Sequence, residues 1–502
     1  MVGYVCAIDQ GTTGSRSVIV DRDGRIVSTA YQTHEQYYPE PGWVEHDPDE
    51  LWTAVESVVR TALNRGRIGG TDLAAIGLTN QRETTVLWDR VTGEPLHRAI
   101  VWQDRRTSDR IDGLDAERAW IRETTGLEPD AYFAATKIEW LLDHLGVNVR
   151  RRAERGDLCV GTIDSWLLAN LTGIHATDVT NASRTMLFDI RDLTWDEALL
   201  ETFGVPEALL PTVEPSMHPT AYGETDPDGP FGAAVPVTGV LGDQQAALVG
   251  QTCFAPGEAK NTYGTGSFVL MHTGETPVRS EHGLLTTIAY QRAGEPVQYA
   301  LEGSIFITGA AIEWLVDVDL LADPGESEAV ATEVEGTDGV VFVPAFTGLG
   351  APHWDQRARG SMFGLTRGTR RGHIVRAALE AIAYQTRDVI DAMESDADVT
   401  LSRLSVDGGA VKNDFLCQYQ ADVLGVPIDR PVIDETTAVG AAYAAGLAVG
   451  YWSSTTELIE HVAIDRSFDP EVHTESIERR YARWQQAVDR AGGWAIDGNS
   501  HR

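Results

Sequence analysis

Lysine is almost absent from this sequence. Lys137, Lys260 and Lys412 are its three lysines, and the other 37 of its 40 basic residues are arginines. The 75 acidic residues bring the formal net charge to −35, which repels nucleic acid and anionic membranes, so neither is expected as a partner. An acid-rich, lysine-poor chain is typical of a high-salt cytoplasm, where the Debye length falls to about 3 Å and crowded carboxylates stop repelling one another. The alternative is an acidic protein from a genome rich in arginine codons.

Cysteine and long apolar runs are also scarce. The four cysteines have no paired spacing, which excludes a disulfide framework or a zinc site and predicts buried free thiols. The apolar start has no basic segment, so no secretory signal is expected and a reducing cytoplasm is predicted. The longest small-apolar run, 437–452, is shorter than the roughly 20 residues of a membrane span and predicts a packed core helix. The cysteines are Cys6, Cys159, Cys253 and Cys417.

The pairs Gly-Lys-Ser and Gly-Lys-Thr do not occur, which excludes a P-loop, and the protein-kinase motifs are absent too. A phosphate site would therefore need backbone amides and hydroxyls. The turns Gly11-Thr12-Thr13-Gly14 and Gly264-Thr265-Gly266 offer both. Either turn alone is more typical of an ordinary hairpin. One in each half, each after a buried strand, favours two phosphate-binding turns that face each other.

The order of apolar runs predicts a duplicated α/β domain. A chain of 502 residues exceeds the roughly 250–300 residues that one core supports. The β-branched runs 5–9, 15–21 and 25–29 are separated by Gly- and Asp-rich breaks, and the related runs 259–262 and 267–271 follow in the second half. Further strand runs, 73–79 and 236–242, alternate with helical patterns at 49–63 and 373–393. We expect domains 1–250 and 251–502 with a cleft between them, and a frayed tail at 495–502.

Four segments could carry the chemistry. Asp9, directly before the first turn, could hold Mg²⁺. Asp243 ends an apolar strand and opens a helix, where it could either accept a proton during phosphoryl transfer or cap the helix. Arg82 and Glu83, after the run 73–79, could bind vicinal hydroxyls or form a solvated surface pair. The fourth segment, Asp407-Gly408-Gly409-Ala410, could seat an adenosine or form a plain strand-to-helix turn.

Aromatic residues near these segments could enclose a small polyol. Trp102 and Tyr132 are candidates for one wall of the pocket, and Phe268, next to the second turn, for the other. The nearest alternative among enzymes is a kinase of another small polyol or of a ketose such as xylulose. These three side chains leave little room for five carbons, which argues against it. An actin-like ATPase without an acceptor is a rival from another class, but it would not need Arg82, Glu83 and Trp102 together.

Ten motifs occur together in an order that resembles the FGGY carbohydrate kinase family, within the actin-like ATPase superfamily. They span almost the whole chain: DQGTTGSRS, PGWVEHDP, NQRETT, VWQDRR, DVTNASRTMLFD, GDQQAA, KNTYGTGSF, FTGLGAP, FGLTRG and VDGGAV. The resemblance implies an α/β fold of two actin-like, ribonuclease H-like domains with a nucleotide cleft between them. The N-terminal domain would hold the acceptor and the first phosphate turn, and the C-terminal domain the nucleotide.

The family's glycerol-phosphorylating members carry NQRETT, VWQ and GDQQAA, so the resemblance implies ATP-dependent conversion of glycerol to sn-glycerol 3-phosphate with Mg²⁺, the entry step of glycerol catabolism. A homodimer or higher homo-oligomer is expected. Asp243 would be the base and, with Asp9, a metal ligand. Glycerol would contact Arg82, Glu83, Trp102, Tyr132, Asp243, Gln244 and Phe268. Nucleotide would contact Thr12, Thr13, Gly14, Arg16, Thr265, Gly309, Glu313, Gly409 and Asn413. Position 313 departs from the family, which usually has glutamine there.

Overall fold

The computed structural model describes residues 3–472 and 474–495. The predicted frayed tail lies, apart from Ala495, outside the described residues. The strands of the described part are β1 (Tyr4–Gln10), β2 (Gly14–Asp21), β3 (Ile26–Thr33), β4 (Glu45–His46), β5 (Leu73–Asn80), β6 (Val86–Asp89), β7 (Ala99–Ile100), β8 (Leu158–Gly161), β9 (Ala176–Asp178), β10 (Phe188–Asp189), β11 (Thr194–Trp195), β12 (Thr212–Glu214), β13 (Val237–Gly242), β14 (Glu258–Tyr263), β15 (Ser267–Gly274), β16 (Leu285–Tyr290), β17 (Gln298–Ile305), β18 (Val341–Val343), β19 (Ser361–Phe363), β20 (Arg403–Gly408), β21 (Ile428–Pro431) and β22 (Ile464–Phe468).

The α-helices of the same part vary from one turn to more than seven. They are α1 (Pro48–Gly66), α2 (Ser108–Asp112), α3 (Arg118–Thr125), α4 (Ala134–His144), α5 (Val147–Glu154), α6 (Ile163–Thr172), α7 (Val179–Ala182), α8 (Glu197–Phe203), α9 (Asp243–Gly250), α10 (Gly309–Asp317), α11 (Ser327–Thr332), α12 (Arg371–Ala397), α13 (Asp414–Leu424), α14 (Thr436–Ala448), α15 (Thr455–His461) and α16 (Thr474–Ala491).

Two large sheets repeat one strand order. The first is β13-β5-β1-β2-β3, and the second contains β21-β20-β14-β15-β17 with β22 and β16 added at its two edges. In both, three strands run parallel and the next two are antiparallel to their neighbours. The two Gly/Thr turns occupy the same place, between the first and second strand of each unit. The structure thus confirms the predicted duplicated α/β architecture.

The first sheet is covered on both faces. Successive side chains of a strand point to opposite faces, and in β1 Cys6 and Ile8 join the core beneath α1, whereas Val5 and Ala7 join the core beneath α14. Helix α1 begins at a cap from Asp47, whose side chain accepts a hydrogen bond from Asp49 N. The sheet therefore needs a helix from each half of the chain to bury its two apolar faces.

Helix α14 approaches both the first sheet and α9 so closely that only glycine fits at the contacts. A Cβ on Gly77 would lie 2.0 Å from Ala441 O, and one on Gly440 would lie 1.8 Å from Ala246 O in α9. The apolar run 437–452 is thus largely a packed core helix, as predicted. Residues 436–448 lie in the second half of the chain but cover one face of the first sheet. The domain division at residue 250 stays a prediction.

All four cysteines are free and buried, which confirms the prediction made from their spacing. Within the described ranges, no helix combines the length and the apolar character that a membrane span requires.

Candidate active site

Three loops of the site leave the first sheet at one edge, because β1, β5 and β13 are parallel and end side by side. Gln10, Asn80 and Gly242 are the last residues of these strands and pair with one another in register. The first Gly/Thr turn follows β1, the segment from Gln81 to Thr85 follows β5, and Asp243 follows β13. The carboxyl ends of parallel strands are where α/β proteins bind ligands. The strand order therefore brings together candidates that are more than 200 residues apart in sequence.

Arg82 contacts the predicted base. Its Nε lies 3.2 Å from Asp243 Oδ1, and its Nη1 and Nη2 lie 2.6 Å and 3.0 Å from the two carboxylate oxygens of Glu302. Asp243 is the first residue of α9, and Gly242 holds the cap position with no side-chain cap bond. Asp243 is thus not the cap residue, although its Oδ1 accepts a hydrogen bond of 2.8 Å from Gln244 N in the first turn of α9. The same oxygen faces the guanidinium group of Arg82.

Glu83 is buried in the first half of the site. Its backbone has a left-handed φ of 60°, a strained conformation for a residue other than glycine. Its Oε1 accepts a hydrogen bond of 2.7 Å from Arg184 Nε. Burial raises the pKa of Glu83 against the attraction of Arg184 and Arg82. Because Arg82 and Glu83 are 2% and 1% exposed, the surface-pair alternative is excluded.

Trp102 and Tyr132 form an aromatic corner above the first turn. Their ring centroids lie 5.6 Å apart at an interplanar angle of 89°. Trp102 Nε1 donates to Thr12 Oγ1 at 2.9 Å, which ties this corner to the Gly/Thr turn. The buried Lys137 donates from Nζ to the carbonyls of Ala131, Tyr132 and Phe133 and so fixes the segment that carries Tyr132.

Phe268 lies in the other sheet. It is half-buried on β15, opposite Ser304, and among the described residues it makes no ring contact with Trp102 or Tyr132. The structure does not bring the three predicted aromatic walls into mutual contact. Phe268 would face the other two only across the space between the sheets.

Arg16 and Glu435 link the first turn to the second half of the chain. Arg16 follows the turn on β2 and forms an ion pair with Glu435, which directly precedes α14. Thr13 Oγ1 lies 3.3 Å from the hydroxyl of Tyr31, and the turn itself closes through a 2.9 Å bond from Gly11 N to Gly14 O.

The second Gly/Thr turn is bonded to the start of α10. Gly309 N donates to Gly264 O at 3.0 Å, and Ala310 N donates to Thr265 O at 3.1 Å. A Cβ on Gly309 would lie 2.6 Å from Gly264 O, so glycine is required at this contact. Thr265 and Gly309, both of which the resemblance assigns to the nucleotide, are thus neighbours. Glu313 lies one turn further along α10 and its side chain is exposed.

The third glycine site provides an open backbone surface. Gly408 has a φ of 96°, and a Cβ on Gly409 would meet no atom within 4 Å. Asn413 follows and caps α13, accepting from Leu416 N at 2.9 Å and donating to Ser327 Oγ at 3.0 Å. The side chain of Asn413 is therefore occupied by structural bonds, which leaves the backbone of Gly409 as the accessible part of this segment.

Sequence reasoning missed three charged residues of the site: Arg184, Lys260 and Glu302. Glu302 is 1% exposed and follows the apolar residues 299–301 of β17, and the only carboxylate of such a strand was a usable signal. Lys260 is fully buried and donates to Gln244 Oε1 and, at 3.0 Å, to Thr262 Oγ1. Burial lowers the pKa of Lys260 to about 8, against the attraction of nearby carboxylates. The rarity of lysine in this sequence was the signal that could have identified Lys260.

Asp9 and Asp243 offer a donor set that suits Mg²⁺. Burial, and then repulsion from Asp243, raise the pKa of Asp9 to about 7, although Arg16 attracts the carboxylate. A divalent cation relieves such repulsion, and magnesium usually binds one or two carboxylates together with phosphate oxygens. Within residues 3–472 and 474–495, no group of three or more histidine, cysteine, aspartate or glutamate side chains could hold a metal by itself. The residues fit a cation shared with phosphate.

Sequence comparisons agree with this geometry. Residues 4–250 match the N-terminal domain and residues 259–449 the C-terminal domain of the FGGY family of carbohydrate kinases. The chain is 63% identical to a glycerol kinase of Haloferax volcanii over 98% of both chains. It is 61% identical to a glycerol kinase of Halobacterium salinarum over 98% of this chain and 99% of that one.

A solved structure has the same fold. The crystal structure of Plasmodium falciparum glycerol kinase with ADP superposes with a TM-score of 0.92 at 37% identity, covering 97% of this chain and 98% of that one. The family models match most of the chain, and the relatives exceed 60% identity over nearly all of it. This protein belongs to the FGGY family of carbohydrate kinases.

Proposed function

We propose that the protein transfers the terminal phosphoryl group of ATP to glycerol and releases sn-glycerol 3-phosphate and ADP. The observation that carries this proposal is the contact between Arg82 and Asp243, beside the Trp102–Tyr132 corner, in a chain similar over its whole length to glycerol kinases. Such a pocket places a base, hydrogen-bond donors for hydroxyl groups and an apolar wall close to one another. The ADP in the similar Plasmodium structure supports ATP as the donor.

Each predicted site residue has a role in this proposal. Asp243 takes the proton of the attacking hydroxyl, and Arg82 and Glu83 bind the remaining hydroxyls of glycerol. Gln244, held by Lys260, contributes an amide next to the base. Trp102, Tyr132 and Phe268 exclude water from the carbon chain, which strengthens the polar contacts in the pocket.

The nucleotide lies along the glycine segments in the same proposal. The turn residues Thr12, Thr13, Gly14 and Thr265 bind phosphates, supported by Arg16, and the backbones of Gly309 and Gly409 pass close to the nucleotide. Asn413 supports this surface through its cap, and Glu313 adds a negative charge near it. Mg²⁺, held by Asp9 and Asp243, neutralises phosphate charge. We also propose a cytoplasmic location, and the homo-oligomer stays a prediction.

A coupled assay of ADP release in molar KCl tests the proposal, with glycerol, xylulose and no acceptor measured side by side. We expect release that depends on glycerol, and a product that a dehydrogenase specific for sn-glycerol 3-phosphate oxidises. Equal release without acceptor would indicate an actin-like ATPase and contradict the proposal. Preference for xylulose would show that the pocket admits five carbons, and would contradict the choice of glycerol.

A further inference from the structure

Four charged side chains form a buried cluster that joins the two halves of the chain. We call Arg82, Glu83, Arg184 and Glu302 the arginine–glutamate cluster; all four are at most 2% exposed. Arg82, Glu83 and Arg184 belong to the first half, and Glu302 lies on β17 of the second sheet, paired with Leu270 and Leu285. A carboxylate that is paired with apolar residues in its own sheet thus meets both arginines of the first half.

Glu302 determines how Arg82 is oriented. Its two oxygens accept from Nη1 and Nη2 of Arg82 at 2.6 Å and 3.0 Å, a paired contact that fixes the plane of the guanidinium group. With both terminal nitrogens engaged, Nε is the edge that faces Asp243 Oδ1 at 3.2 Å. Arg82 Nη1 also donates to Gln245 Oε1 at 3.3 Å, but the two shorter bonds that orient Arg82 toward the base are made with a residue of the other sheet.

Glu302 also acts on Glu83 through a shared partner. Oε1 of Glu302 accepts from Arg184 Nη2 at 3.2 Å, and the same guanidinium donates from Nε to Glu83 Oε1 at 2.7 Å. Arg184 thus lies between the two glutamates. A shift of Glu302 would move Arg184, and Glu83 would lose the donor that holds it.

The cluster is poorly explained by stability alone. Buried ion pairs stabilise a fold weakly, because desolvation opposes the attraction between the charges. A buried charge cluster that adds little to stability but contacts the proposed base is typical of a site in which geometry matters more than stability.

We propose that Glu302 is a positioning residue that orients Arg82 directly, and Glu83 through Arg184, so that acceptor binding requires the second sheet to be in place. This inference rests on the proposed glycerol kinase activity. It predicts that loss of the Glu302 charge weakens binding of the acceptor through Arg82 and Glu83.

Glu302→Gln tests the proposal, because it keeps the shape and removes the charge. The matched control is Glu380→Gln: Glu380 is also buried and accepts from an arginine, Arg376 Nε at 3.0 Å, but lies on α12 outside the site. A charge-assisted hydrogen bond contributes enough that we expect KM for glycerol to rise about 10- to 100-fold in Glu302→Gln. KM for ATP should stay near the wild-type value, and Glu380→Gln should leave KM for glycerol unchanged.

Three outcomes distinguish the inference from the function on which it rests. An active wild type with an unchanged KM for glycerol in folded Glu302→Gln would overturn the inference alone. No glycerol-dependent ADP release from the wild type would overturn the proposed function and the inference with it. If Glu302→Gln does not fold, Glu302→Asp keeps the charge but shortens the reach, and calorimetric titration with glycerol should show weaker binding; wild-type affinity in that variant would overturn the inference.

Discussion

At the scale of single residues, exposure separates the proposed base from the side chains that hold it. The Asp243 side chain is 30% exposed, whereas those of Arg82, Glu83 and Glu302 are at most 2% exposed. A base must reach the proton that it accepts, and the residues that orient it gain from burial, because burial strengthens their polar contacts. This difference in exposure is what a base within a preorganised pocket requires.

Asp243→Asn should lower kcat by about 10²- to 10⁴-fold, the usual contribution of a general base. Glycerol should still bind, because the amide is similar in size and Arg82 keeps its contact with Glu302. Steady-state kinetics give kcat, and calorimetric titration gives the affinity. The exposed Asp228 provides a control, since Asp228→Asn removes the same charge from a surface loop. Near-normal turnover in folded Asp243→Asn would exclude this residue as the base.

Asp164 makes stability depend on pH at a point outside the site. Burial raises its pKa to about 7, against hydrogen bonds of 2.5 Å from Thr162 and 2.6 Å from Thr177, and Asp178 adds repulsion. Between its ordinary pKa and pH 7 the folded protein therefore binds more protons at this residue than the unfolded chain does. The free energy of unfolding should accordingly fall as pH rises through this window.

Asp164→Asn should remove that contribution. We expect the change in unfolding free energy between pH 5 and pH 7 to differ from wild type by more than about 1 kcal/mol, the value of one pKa unit. Urea unfolding at constant ionic strength measures it. Identical pH profiles for the two proteins would show that Asp164 is ionised in the folded state throughout.

Motifs revealed the residues that lie close together in sequence, but not the contacts between distant ones. Arg82, Glu83 and Asp243 were predicted because each follows an apolar run at the end of a strand. Glu302 was not, since its partner Arg82 is 220 positions away and no local pattern records which strand faces which loop. The role of Asn413 as a cap is a similar case, because a cap and a ligand contact use the same residue type.

At the scale of elements, helix α14 depends on close contact with α9. Gly440 lies against Ala246, and Gly250 lies against Thr436, with backbone atoms where side chains would be. The strands and long helices were predictable, because β-branched runs between Gly-rich breaks and a helical period are local signals. The sequence did not predict which sheet α14 packs against. Apolar residues lie all round this helix, so no single face of it is marked as the buried one.

Gly440→Ala should destabilise the protein by about 1–3 kcal/mol, the usual cost of overpacking, because its Cβ would lie 1.8 Å from Ala246 O. Guanidinium unfolding in molar KCl measures the change. Gly336→Ala is the matched control: a Cβ there meets no atom within 4 Å, so the variant should be neutral or slightly stabilised. Equal stability of the two variants would mean that α9 and α14 separate at no cost.

At the scale of the whole molecule, the balance of charge sets the conditions for folding. Lys137 and Lys260 are buried inside, whereas most of the net charge of −35 is carried by acidic residues at the surface. Two of the three lysines are therefore buried ammonium groups and contribute nothing to the charge of the surface. The similarity to kinases of Haloferax volcanii and Halobacterium salinarum agrees with the high-salt interpretation.

The temperature of unfolding should fall steeply when KCl is reduced from molar concentration to below about 0.1 M, where the Debye length rises to about 10 Å and carboxylates repel one another. Differential scanning calorimetry measures it. Sucrose at equal water activity is the control, since it does not screen charge and should restore little of the loss. An unchanged unfolding temperature in dilute buffer would favour the genome-composition alternative.

The packing of α14 on the first sheet separates the order of synthesis from the order of folding. When residues 1–250 have left the ribosome, α14 has not yet been made, so it cannot cover the β1 face that carries Val5 and Ala7. That face stays uncovered by α14 until residue 448 emerges. Almost the whole polypeptide must be translated before its first sheet can be closed. A nascent chain of this protein therefore presents an apolar surface to chaperones for most of its synthesis.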